Sequence, residues 1–267
     1  MSVPKATAPD PAAPAQPACP AVGEDPTSKA AVEHGRPSYS WRFGQDRRLE
    51  MVRRFVPLEA RRILDVGCGI GTYVRRFRQF SDDVHGVDVE ADRVAEASRE
   101  LPHIRLAAGE DLPYPDDHFD LVFSNEVIEH VDDDRVTVRE MVRVTKPGGH
   151  IVLFAPNRLY PFETHGAYFR GRYRFGNIPL INWLPDRVRG RFAPHVRAYT
   201  RRGIRSLFRG LPVRLVHHGV IYPGFDNVTA RHRVAGGVLR RLLYAAERTP
   251  LRAFGLSHFL VVRKQER

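Results

Sequence analysis

Apolar residues between Ser40 and Phe55 fall at helical spacing, with Leu49, Val52 and Phe55 on one face and Pro57 as the stop, which predicts a helix. From there the pattern changes to short apolar runs separated by helical stretches. The runs are Ile63–Val66, Val84–Val89, Ile104–Ala107, Phe119–Ser124, His150–Ala155, Val213–Val220 and Phe259–Arg263. Between them lie amphipathic segments from Thr72 towards Phe80, and at Asp92–Leu101, Asp133–Val144 and Thr200–Phe208. Short buried runs alternating with helices predict an α/β fold with a mostly parallel sheet and crossover helices on both faces. Lys146-Pro147-Gly148-Gly149 reads as the turn before the fifth strand.

Three segments fall outside this alternation. Residues 1–35, rich in Pro, Ala and small polar residues with almost nothing to bury, read as a disordered leader, leaving 36–267 as the folded domain. Residues 156–194, crowded with aromatics, Pro, Gly and Arg, form one insertion after the fifth strand. Residues 221–256 form another, after the sixth, with an amphipathic helix expected at Val234–Arg248. Loops this long are expected to serve as lids or binding surfaces.

Composition narrows the function classes only slightly. Apolar residues make up 42% and charged residues 27%, ordinary for a globular protein. Neither a signal-peptide core nor an apolar run of the ~20 residues a spanning helix needs is visible. Cys19 and Cys68 provide no disulfide framework, so a cytoplasmic setting is expected. The net charge of +11 invites an anionic partner, yet the arginines are spread along the chain and define no nucleic-acid track.

Chemistry concentrates first at Asp65-Val66-Gly67-Cys68-Gly69-Ile70-Gly71, a strand, a tight glycine turn and a helix start. The spacing is G-x-G-x-G rather than the dinucleotide G-x-G-x-x-G, and Asp65 stands two residues before the first glycine. A carboxylate there repels a pyrophosphate and attracts an ammonium or sulfonium group. The stretch resembles motif I of the class I S-adenosylmethionine (SAM)-dependent methyltransferases, and the seven runs from Arg61 onwards match that family's sheet. The resemblance implies a Rossmann-like seven-stranded fold and SAM as cofactor. It implies cofactor contacts from Asp65, Gly67, Cys68 and Gly69, from Asp88 and Val89 at the ribose, and from Gly109, Glu110 and Asp111 at the adenine. Leu112 is a further backbone candidate, and Asn125 is expected beside the methionine part. The family's usual acid two places before Glu110 is replaced here by Ala108.

Glu126, Glu129 and His130 in E-V-I-E-H-V share a face if the segment is helical, and His130 is the candidate general base. The same block resembles the metal site of ubiquinone-pathway O-methyltransferases and of small-RNA 2′-O-methyltransferases. That likeness implies a divalent ion such as Mg2+ on Glu126, Glu129, His130 and a downstream histidine, with His195 first choice and His165 second. His217-His218 reads as a core pair and Asp226-Asn227 as a structural turn.

These observations favour O-methylation of a small or lipid-like molecule, with the tyrosines of the first insertion and Trp183 walling the substrate. The alternatives are a metal-assisted RNA 2′-O-methyltransferase and a non-catalytic SAM- or lipid-binding module. The stretch holding Val238, Leu239, Leu242 and Leu243 against an arginine-rich face is a candidate for peripheral membrane contact, set against docking on the protein's own sheet.

Overall fold

In a computed structural model, which describes residues 28, 32–33 and 42–266, helix α1 (Phe43–Arg53) precedes β1 (Ile63–Val66), α2 (Thr72–Phe77) and β2 (Val84–Asp88). Next come α3 (Ala91–Ser98), β3 (Ile104–Leu106), β4 (Phe119–Asn125), α4 (Asp134–Val144) and β5 (Thr145–Pro156). The expected leader falls almost wholly outside the described residues.

Strands β1 to β5 pair in parallel in the order β3-β2-β1-β4-β5. The chain closes the sheet with β10 (Val213–Ile221) and β11 (Ser257–Lys264), β11 running antiparallel between β5 and β10. The seven-stranded, mostly parallel sheet is therefore the expected one.

Its central strands are buried on both faces, which explains their unbroken apolar runs. Successive side chains still alternate between two cores. Leu64, Val66, Val122, Ile151, Leu153, Leu260 and Val262 pack towards α4 and towards α6 (Arg201–Ser206). Ile63, Leu121, Phe123, Val152, Phe154, Phe259 and Val261 pack towards α1, α2 and α3. Lys146-Pro147-Gly148-Gly149 is not a separate turn. It lies within β5, where the register against β4 shifts and Gly148 takes φ +78°.

The first insertion is a small unit with its own apolar centre, Ala167, Ile181, Ala193 and Val196. It pairs β6 (Phe162–Glu163) with β9 (Ile178–Pro179), and β7 (Ala167–Phe169) with β8 (Arg172–Arg174), before α5 (Asp186–Phe192). The second insertion folds as α7 (Asp226–Arg231), α8 (Arg233–Ala246) and a 3-10 turn (Pro250–Phe254). None of the helices is long and apolar enough to cross a membrane among the described residues.

His218 is the satisfied core histidine expected. Its Nδ1 accepts from Arg205 Nε at 2.8 Å, and its Nε2 lies 3.1 Å from His258 Nδ1. The relay ends where His258 Nε2 meets the Tyr199 carbonyl at 2.8 Å. Burial, with His258 beside it, depresses His218 to about 3, so the ring is neutral.

Candidate active site

The strand order reverses between β1 and β4, and there the carboxyl ends of the strands open a crevice. A cavity of about 330 Å³ occupies it, lined on the β1 side by Asp65, Gly67, Cys68 and Gly69 and on the β2 side by Asp88 and Val89. Gly109, Glu110, Asn125, Glu126 and His130 complete its wall on the remaining strands. Asp111 does not reach it. Its side chain is exposed, and its amide donates to the Ala108 carbonyl. The Leu112 amide is also taken, by Glu140 Oε2 at 3.0 Å, which leaves Ala107 to Glu110 as the backbone at that end.

The glycines act on the protein's own atoms. All three take positive φ, +75° at Gly67, +54° at Gly69 and +80° at Gly71. A Cβ on Gly67 would sit 2.2 Å from Val127 Cγ2, and one on Gly71 would sit 2.3 Å from Leu101 Cδ1. Side-chain packing, as well as φ, therefore demands glycine at these two positions. The loop amides are satisfied internally too. Those of Gly67 and Cys68 donate to the Val87 carbonyl, and that of Gly69 donates to Asp88 Oδ2 at 2.7 Å. With these donors taken, the loop is not a phosphate cradle, as the position of Asp65 predicts.

Asp65 is 2% exposed, and its Oδ2 has no hydrogen-bond partner among the described residues. Burial first, and the nearby Asp88 carboxylate second, push it up to about 8. An orphaned carboxyl group in this state is a receptor for a cation. Asp88 accepts one backbone N–H on each oxygen, from Gly69 and from Glu90 at 3.0 Å, which leaves a lone pair on each for ligand hydroxyls.

Glu126 sits in the left-handed region at φ +55°. Its Oε1 accepts from Arg48 Nη2 at 2.9 Å and from Ser257 Oγ, while Arg48 Nη1 donates to Asn125 Oδ1. Burial alone would raise Glu126, but the Arg48 guanidinium and the Ser257 hydroxyl hold it below the usual carboxylate range. Glu126 is thus a paired anion rather than a free ligand. The sequence gives no special mark to Arg48, one arginine among many. Its neighbours Leu49 and Val52 on the buried side of α1 are the only hint that it points inwards.

Glu129 lies beneath the cavity, 1% exposed, with neither carboxylate oxygen hydrogen-bonded among the described residues. Burial, reinforced by the Glu126 charge, raises it well above the usual carboxylate range. His165 Nε2 stands 3.7 Å from Glu129 Oε1, and the His130 and His165 rings meet edge-on at 5.0 Å. One ligand atom from each of Glu129, His130 and His165 lies within 4.8 Å of the others. Of the four expected metal ligands, Glu129 and His130 come together, joined by His165, the second-choice histidine, while Glu126 is engaged by Arg48. His195 Nε2 faces the His165 carbonyl at 3.4 Å, and its ring packs between Tyr168 and Tyr173.

The first insertion orients His165. Glu163 Oε1 accepts from the His165 amide at 3.0 Å and from His165 Nδ1 at 2.9 Å, and Glu163 Oε2 accepts from Arg189 Nη2 at 2.6 Å. Burial works against the Glu163 charge, yet these partners bring it to about 2. With Nδ1 tied, Nε2 is the nitrogen turned to Glu129. The insertion was expected to wall the substrate; no residue from 157 to 194 lines the cavity, and Trp183 is exposed with Nε1 on the Leu159 carbonyl.

A second cavity of about 240 Å³ shares Gln45, Tyr73 and Asn125 with the first and continues to Tyr222, Asp226 and Tyr244.

Residues 64–153 match the family described as "Methyltransferase domain". An uncharacterized methyltransferase, YcgJ of Bacillus subtilis, is 33% identical over 174 residues, 61% of this chain and 68% of YcgJ. The chain belongs to the class I SAM-dependent methyltransferase family. Malonyl-[acyl-carrier protein] O-methyltransferase of Halorhodospira halophila is 37% identical over 132 residues, 45% of this chain but only 42% of that protein. The fold is that of a SAM-dependent methyltransferase from Mesorhizobium loti, with a TM-score of 0.56 at 20% identity over 80% of this chain and 96% of that one.

The cofactor of this methyltransferase domain is SAM, and the residues present fit it. Asp65, once ionised, would supply the counter-charge for a cationic ligand, Asp88 would offer acceptors to vicinal hydroxyls, and the Ala107–Glu110 backbone would give an edge for a base.

Proposed function

We propose that this chain methylates a hydroxyl group of a small-molecule acceptor, with His130 as the general base. When bound, SAM supplies an electrophilic methyl group on a sulfonium centre. The remaining work falls to the protein. Asp65 and Asp88 hold the cofactor, the Arg48–Glu126–Asn125 network fixes the end of β4, and the second cavity receives the acceptor at its shared wall of Gln45, Tyr73 and Asn125. An alcohol must lose its proton as it attacks, and a base within reach contributes on the order of 10²–10⁴-fold. The observation that carries the reading is His130 on the cavity wall, its ring set against His165, which Glu163 and Arg189 hold in one tautomer.

The test is methyl transfer from labelled SAM to a panel of hydroxylated small molecules by the wild type and His130→Ala. The reading requires kcat to fall at least ~100-fold with SAM affinity intact. Equal rates, or transfer only to amines, refute it.

The Glu129–His130–His165 group favours a second reading, in which a divalent ion binds there and activates the acceptor hydroxyl. Two imidazoles and one carboxyl group suit Zn2+ or Mn2+ better than the oxygen-seeking Mg2+. Calorimetric titration with each ion separates the readings: heat from Zn2+ or Mn2+ that disappears in Glu129→Gln supports the metal, and no heat leaves His130 as base.

A further inference from the structure

Helix α8 turns its apolar side away from the protein. Its inward stripe is Gly236, Arg240, Tyr244 and, one turn on, Glu247. A Cβ on Gly236 would meet the Thr229 backbone at 2.7 Å. Arg240 lies 4.0 Å above the Phe43 ring and 3.5 Å from Asp226 Oδ1. Tyr244 carries Arg47 at 3.8 Å over its ring, and Glu247 takes both Arg47 and the Tyr222 amide. The helix is thus docked chiefly through polar and aromatic contacts on α1 and α7, and of its leucines and valines Leu243 is the half-buried one.

Three of its aliphatic residues form an outward ridge. Val234, Val238 and Leu242, at i, i+4 and i+8, are 82%, 50% and 65% exposed. Leu251 and Phe254 on the following 3-10 turn are exposed as well, and Phe254 lies 6.3 Å from the exposed Trp183. Arginines 231, 233, 241, 248 and 252, on this helix and the segments either side of it, are exposed too. Glu247 is the sole acid between Asn227 and Ser257 in the sequence, and it is consumed by Arg47 and Tyr222.

We propose that this surface docks on an anionic lipid bilayer, with α8 lying in the interface plane. Aliphatic residues on one face and arginines at the flank, on a helix about 21 Å long, suit the boundary between acyl chains and headgroups. Charge decides against a second copy of the chain. A two-fold contact through the ridge would bring the arginine rims together with no acid to answer them. An RNA partner would leave the aliphatic ridge unused. Tyr222 donates to the Leu251 carbonyl at 2.8 Å and, like Tyr244, lines the second cavity, so docking sets that cavity close to the lipid headgroups.

The experiment is co-sedimentation of the full chain with phosphatidylcholine vesicles, with and without about 30 mol% phosphatidylglycerol, at about 50 and 300 mM salt. Light scattering in free solution accompanies it. We expect binding only to the anionic vesicles, weakened by salt. Val238→Glu/Leu242→Glu and, separately, Arg241→Glu/Arg248→Glu each reduce it at least about tenfold. Both pairs are surface substitutions, and circular dichroism confirms that the variants stay folded. No binding to anionic vesicles, equal binding to neutral ones, or a dimer broken by the Val238→Glu/Leu242→Glu pair would each overturn the proposal. Vesicle binding does not depend on methyl transfer, so the assay separates failure here from failure of the catalytic reading.

Discussion

Asp65→Asn should make the cofactor-free protein more stable while depriving it of its ligand. Burial raises the carboxyl group of Asp65 to about 8 in the folded protein, against an ordinary value of 3.8. An acid raised in this way costs no folding free energy below pH ~4. The cost grows as pH climbs through the interval and levels off above ~8. At 1.36 kcal/mol per pH unit it is ~4 kcal/mol at pH 7 and ~6 kcal/mol above pH 8. Asparagine keeps the shape and removes this term, at the expense of ~1–3 kcal/mol for a buried amide without partners. The net change is near zero at pH ~5 and a gain of ~2–4 kcal/mol at pH ~8. For a domain of this size that is a rise in Tm of about 5–10 °C. Scanning fluorimetry from pH 5 to 8, with and without SAM, reads both effects. SAM should raise the wild-type Tm and leave the variant unmoved. A variant less stable than wild type at pH 8, or a stability difference that does not change with pH, would refute the reasoning.

Breaking the buried Arg189–Glu163 pair with Arg189→Ala should cost ~3–5 kcal/mol by urea unfolding, because it strands Glu163. Glu163 lies at about 2 when folded, below its ordinary value of 4.5, so its ~3 kcal/mol is present above pH ~4.5 and lost as pH falls towards 2. An acid titration followed by circular dichroism should lose that midpoint shift in Glu163→Gln. Gly67→Ala should destabilise by at least ~2 kcal/mol through positive φ and the Val127 clash. Val127→Ala in the same chain should recover only the clash, as a double-mutant cycle in urea would register. Arg48→Ala removes the guanidinium that keeps Glu126 charged. It should destabilise by ~3 kcal/mol and raise the Glu126 pKa, which NMR titration of a Glu-labelled sample reports.

The parallel sheet was legible because its central strands are buried on both faces, a condition that largely apolar runs such as Ile151–Ala155 meet. At the cavity, Asp65, Gly67, Gly69 and Asp88 come together because they sit in one strand–turn–helix and the strand beside it, where local sequence order sets the geometry, whereas Asp111 stays outside. What failed is non-local. Arg48 reaches Glu126 across 78 positions, and no periodicity marks that pairing. His165 lies within the first insertion and His195 just beyond its end. Only its folding, with Glu163 and Arg189 at its centre, decides that His165 faces Glu129. The amphipathic pattern of α8 was correctly located, yet it cannot say which side faces in. Arg240, Tyr244 and Glu247 found partners on α1, on α7 and at Tyr222, so the polar stripe became the inner one.

The most direct test of the account is calorimetric titration of the full chain with SAM between pH 6 and 7.5, in two buffers of different ionisation enthalpy. Asp65 is largely protonated in the free protein over this range and must ionise to receive the cofactor's ammonium group, whose own pKa near ~8 keeps it charged. The account predicts one-to-one binding with Kd of about 1–100 μM, release of a proton to the buffer, and tighter binding as pH rises. Absence of heat at every pH, or binding with no proton released, would contradict it.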